Sequence, residues 1–164
     1  METVRDYGEL GICLQRIVKR LFANQNLIKL LYYTGKDPLS EPDLTEEQLQ
    51  ELVYEKLVKI VPRVGPYETA QSVLSMRVVR GRGIEENNEF RDIVIHFEVF
   101  VPMTQWFIKD SNLRPFAIMS ELQKSLNNKI INGMGRMQGG DFSLNFLTDE
   151  MSCYEIEYRI TNYE

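Results

Sequence analysis

The sequence predicts an α+β fold in a single domain, 1–164: N-terminal helices, then an antiparallel sheet of about four strands with a helix packed across it. Three observations carry this. Apolar residues recur with a helical period over residues 1–62 and with a period of two across much of 71–164. The strand-like runs come in adjacent pairs. The helical runs are segregated from them, whereas a doubly wound parallel sheet would alternate the two. A hydrophobic content of 43% with eight Phe, eight Tyr and Trp106 is enough for a core without metals or disulfides.

The first helix is carried by "LGICLQRIVKRLF", in which Leu10, Leu14, Ile17, Val18 and Leu21 make the buried stripe and Gln15, Arg16 and Lys19 face water. Asn24 is placed to cap a second helix in "QNLIKLLYYT", with Gly35 as its stop. "GKDPLSEPDL" holds two prolines and reads as a loop. Thr45 and Gln48 have capping-box spacing, and Leu44 and Leu49 flank them as a hydrophobic staple. The helix they start has the stripe Leu49, Leu52, Val53, Leu57 and Ile60 and is expected to end at Pro62.

Residues 71–164 read as β-β-α-β-β. Leu74, Met76 and Val78 share one face of "SVLSMRVVR". In "RDIVIHFEVFV", Ile93, Ile95, Phe97, Val99 and Val101 point one way, and Asp92, Val94, His96, Glu98 and Phe100 the other. The polar stretch between them is expected to project as a loop over 81–91. "PMTQWFIKDSNL" reads as irregular. A helix then begins at Pro115, with the stripe Phe116, Met119, Leu122, Leu126 and Ile130. Two closing strands follow, around Phe142, Leu144 and Phe146 and around Tyr154, Ile156, Tyr158 and Ile160. Core packing is the expected role of these aromatics and of Trp106.

No catalytic constellation, cofactor signature or metal set stands out. Gly133, Gly135, Gly139 and Gly140 sit densely in "INGMGRMQGGDF", but they follow a helix and precede a strand. A dinucleotide loop needs the reverse order, with the phosphate on a helix N-terminus. Gly133 is expected to cap the preceding helix, and Gly139 and Gly140 to form a turn or bulge. Cys13 and Cys153 stand apart and outside any CxxC or Cys/His cluster, so two buried reduced thiols are expected. His96 with Glu98 is the one pair that could serve an enzyme. A net charge of −5 without basic clusters argues against gripping nucleic acid. The N-terminus does not read as a signal peptide, and no run approaches the ~20 apolar residues of a membrane span. The chain is expected to work away from membranes.

Both faces of "IVIHFEVFV" are largely apolar, which suggests helices on one side and another subunit, or more helices, on the other. The expected subunit interface is Arg80, Arg82, Glu85, Glu86 and Glu89 of the projecting arm with Val94, His96, Glu98 and Phe100 of the strand. The element order, with the long-looped hairpin "VLSMRVVRGRGIEENNEFRDIVIHFEVFVP", the helix "PFAIMSELQKSLNN" and the closing hairpin "DFSLNFLTDEMSCYEIEYRIT", resembles tail-terminator and related neck proteins of tailed bacteriophages. That resemblance implies a structural ring, usually a hexamer, at the head–tail junction of the virion, assembled in the host cytoplasm. Its implied partners are further copies of itself, the tail tube protein and head–tail connector proteins. DNA would pass through the lumen without being read. The alternatives are a cytosolic adaptor binding through the same sheet surface, or a small enzyme using His96 and Glu98.

Overall fold

The computed structural model describes residues 6–50, 58–59, 71–83, 90–131 and 133–161, and the fold is α+β. Helices α1 (Tyr7–Phe22), α2 (Gln25–Tyr32) and the one-turn α3 (Glu46–Gln48) precede strands β1 (Val58–Lys59), β2 (Val73–Gly83) and β3 (Phe90–Pro102). A small hairpin, β4 (Phe107–Ile108) and β5 (Asn112–Leu113), leads into helix α4 (Arg114–Leu126). Strands β6 (Ile130–Ile131), β7 (Gly135–Leu147) and β8 (Met151–Ile160) complete the described chain. The main sheet runs β1-β2-β3-β8-β7-β6. Five of its strands, β2 to β6 in that order, are antiparallel rather than the expected four, and β1 adds in parallel to β2.

Each helix starts where its cap is. The Asp6 carboxylate accepts from Glu9 N, the Asn24 side chain accepts from Leu27 N, and Thr45 and Gln48 form the reciprocal capping box. Cys13, Ile17, Val18 and Leu21 of α1 and Leu27, Ile28, Leu30 and Leu31 of α2 are buried against the sheet face made by Ile93, Ile95, Phe97, Val99 and Val101. Burying such a side chain contributes about 1.5–3 kcal/mol. Asn24 also ties the helices together, because its Nδ2 donates to Ser125 Oγ (2.8 Å) and Glu121 Oε2 (3.1 Å) on α4. Both cysteines are buried free thiols, and burial pushes Cys153 up to about 12.

Several expectations are corrected. Val58 and Lys59 pair with Leu74 and Ser75 as a strand, where the sequence pattern has a helix running on to Pro62. A β-branched residue beside an open strand edge takes the ladder hydrogen bonds instead. The stripe residues Leu52, Val53, Leu57 and Ile60 lie outside the described residues. Strands β2 and β3 extend into the arm, pairing Gly81 with Ile93 and Gly83 with Phe90, so 81–91 is not all loop. In α4 Met119, Leu122 and Leu126 are buried as expected and Ile118 joins them, whereas Phe116 is partly exposed and Ile130 lies beyond the helix on β6. Asn128, at φ 58, takes the left-handed position after α4, and Gly133 (φ 82) turns the chain between β6 and β7. Gly139 and Gly140 lie inside β7, at a register shift between Gly139 and Asp141, so they form the bulge and not the turn. "PMTQWFIKDSNL" is not irregular throughout, since it holds β4 and β5 around a tight turn with Asp110 and Ser111 at positive φ.

Tyr158 is fully buried among these apolar residues, its ring edge-on to Phe97, and its hydroxyl has no hydrogen-bond partner among the described residues. Burial raises the phenol to about 12. An unpaired buried hydroxyl costs about 1–3 kcal/mol. Tyr158→Phe should therefore stabilise the protein by about 1 kcal/mol, read as a rise of roughly 2–4 °C in Tm. A fall in Tm would show that the hydroxyl is satisfied.

Candidate functional site

Two surfaces hold the functional candidates. The first is a polar cluster on the sheet face opposite the helices. Register brings Arg77 of β2 beside His96 of β3, His96 beside Glu157 of β8, and Glu98 beside Glu155. Two glutamates directly across a strand pair repel one another. Arg77 resolves this with its fork, placing Nη1 2.8 Å from Glu98 Oε1 and Nη2 2.6 Å from Glu155 Oε2. His96 Nε2 donates to Glu157 Oε2 at 3.0 Å. Its Nδ1 lies 2.9 Å from Glu155 Oε1, close but without hydrogen-bond alignment.

Glu98 is held above the usual carboxylate range by burial, with the Arg77 charge opposing that shift and Glu155 reinforcing it. A carboxyl raised in this way binds its proton more tightly folded than unfolded. The stability it contributes is present when it is protonated and is lost as pH rises through its folded value. Arg77→Ala leaves two partly buried carboxylates facing each other and should cost about 2 kcal/mol at pH 7. The deficit should shrink as pH falls and Glu98 takes up its proton. Urea unfolding at pH 7 and pH 5 measures this, and a deficit that grows on acidification would contradict it.

His96 and Glu98 thus share a face as expected, but His96 touches Glu155 and Glu157, with Arg77 standing between the glutamates. Cys153 is on the same face, and its thiol, raised mainly by burial and further by the Glu98 charge, is not a thiolate at neutral pH. Among the described residues no three His, Cys, Asp or Glu side chains converge as a metal set. Val94 and Phe100 are buried on this face, Phe100 in a small cluster with Val73, Met151 and Cys153. Arg80 and Arg82 are exposed on β2, while Glu85, Glu86 and Glu89 lie outside the described residues.

The second surface was not foreseen. The far half of β7 presents Phe142, Leu144 and Leu147, which are 57%, 49% and 56% exposed, on the same sheet face as the helices. The Phe142 ring packs with Phe116 and Tyr154, and Tyr154 packs with Trp106, so one aromatic row runs from the interior to solvent. The expectation that Phe142 belongs to the core is corrected, because α4 covers the sheet only as far as Phe116. Strand β6 pairs with β7 at Gly135 and Arg136 alone, so among the described residues the edge of 140–147 has no strand partner. Alternating apolar residues revealed the strand; only the tertiary arrangement shows that no described residue covers them. A groove of about 480 Å³ also lies between the Pro38–Ser40 turn and the β4–β5 hairpin.

Among the described residues no helix is long and apolar enough to cross a membrane. No curated protein matches the chain in sequence. Residues 24–160, from the cap of α2 to the last residue of β8, match the family model YomW. The match takes in α2, α4, the polar cluster and the β7 edge but not α1, and the chain belongs to the YomW family, a phage-derived family.

Proposed function

We propose that this chain is a structural protein of a tailed phage particle that assembles into a ring at the head–tail junction, ending the tail tube and joining it to the head. The observation that carries this reading is the β7 edge. It combines unpaired backbone groups with a half-exposed apolar row, a combination that isolated monomers blunt or cover. The phage-derived family supports the setting. Copies of the same chain are the first partners, and the tail tube and connector proteins are the next. DNA crosses the lumen without being read, and the net charge of −5 suits a conduit that does not retain it.

Electron microscopy tests the proposal at two levels. Purified protein, alone or mixed with tail tubes, should form rings, and antibody–gold raised against it should decorate the neck of intact particles. A protein that stays monomeric and also fails to bind tail tubes, or gold that falls elsewhere on the particle, would overturn the reading.

A further inference from the structure

We propose that the free edge of β7 docks head to tail on a second copy of this chain, alongside β2 and into the groove between β2 and α1; this rests on the ring reading above. Among the described residues the receiving side is open as well. Strand β1 pairs with β2 only at Leu74 and Ser75, so among the described residues the edge from Met76 to Gly83 has no strand partner. Beside it lies a groove of about 280 Å³ lined by Tyr7, Leu10, Gly11, Leu14, Met76 and Val78. Gly11 is exposed in the middle of α1, and a Cβ added there meets nothing within 4 Å. An alanine would favour the helix by about 1 kcal/mol, so the bare position keeps the groove open at some cost to α1.

Topology makes the two edges fit. In the order β2-β3-β8-β7 every neighbour is antiparallel, so β2 and β7 run in opposite directions. A second copy set alongside in the same orientation therefore presents β7 antiparallel to β2, the geometry of an ordinary ladder. Phe142, Leu144 and Leu147 then fall on the same face as Met76 and Val78, over the groove. On the other face, Asp141 of β7 lies directly across from Glu157, two like charges, and has no ion-pair partner among the described residues. Arg80 and Arg82 on β2 are likewise exposed without one. Continuing the sheet across copies brings the acidic edge to the basic one. A head-to-tail contact of this kind is heterologous, and it closes into a ring when its rotation closes.

Two single variants and their mixture test the interface, read by mass photometry under conditions in which the wild-type protein assembles. Gly11→Arg fills the groove and should weaken association tenfold or more while Tm is unchanged or higher. Leu144→Arg should do the same from the donor side. Mixed together, each variant retains the half that the other lacks, so the mixture should give dimers and nothing larger. Assembly of Gly11→Arg like wild type, or a mixture that stays monomeric, would overturn the head-to-tail docking and leave the ring reading standing. A wild type that remains monomeric even with tail tubes would overturn the ring reading and this interface with it.

Discussion

Replacing Arg114 with Leu should lower stability by about 4 kcal/mol or more, or leave the protein unable to accumulate in folded form. Arg114 is fully buried at the start of α4. Its Nε donates to Gln105 O (2.9 Å), Nη1 to Leu30 O (2.6 Å) and Tyr33 O (2.8 Å), and Nη2 to Gly35 O (2.6 Å). Three of those carbonyls, Leu30, Tyr33 and Gly35, belong to the end of α2 and the chain after it, so a side chain some 80 residues further on closes the helix. Burial lowers the guanidinium to about 10, which keeps it protonated at neutral pH. Leucine fills much of the space but removes four hydrogen bonds to backbone carbonyls, two of them buried, and a buried acceptor that loses its bond costs about 1–3 kcal/mol. Few single substitutions reach such a sum. Arg114→Lys keeps the charge without the planar fork and should fall between the two. Urea unfolding measures both, and a loss below about 1 kcal/mol for the leucine variant would contradict the account.

Gly139→Ala should be nearly as damaging, at about 3 kcal/mol, through added bulk and not through lost bonds. A Cβ at position 139 would land on the Glu157 carbonyl oxygen and 2.7 Å from Tyr158 Cα. Both atoms are backbone of β8, the strand to which β7 is paired, so no rotamer relieves the contact. The ladder must open or the bulge must move, and overpacking of this kind costs about 1–3 kcal/mol before any pairing is lost. Gly140 next to it makes the contrast. Its φ of 119 demands glycine, but an added Cβ there meets only Gln123 Nε2 at 3.8 Å, so Gly140→Ala pays for backbone strain alone, about 1–3 kcal/mol. Thermal denaturation should rank the alanine variants with Gly139 the worse, and equal losses would argue against the close approach.

Much of the fold is legible where a local rule decides the outcome. The stripe from Leu10 to Leu21, the Asn24 cap, the Thr45–Gln48 box, Pro115 and the row from Ile93 to Val101 each depend on neighbours within a turn or a pleat. Arg114 is illegible for the opposite reason: a lone arginine at a helix start reads as a solvated charge, and its four acceptors are scattered from residue 30 to residue 105. The glycines of β7 hide a strand, because glycine carries no side chain to mark the alternation. At the site, His96 and Glu98 were visible as a pair, but Arg77, Glu155 and Glu157 join them only through strand register. Phe142 reads as core because no local signal tells how far α4 reaches.

The central pairing of β3 with β8 has a kinetic consequence. Ile93 meets Ile160 and Pro102 meets Met151, so the whole of α4 and β7 must be present before the middle of the sheet can close. The β2–β3 hairpin can form early from near neighbours, but it then waits with one apolar edge unmet until the last strand arrives. Folding should therefore be slow for a sheet of this size, and a polypeptide still emerging from the ribosome would expose that edge until β8 was made.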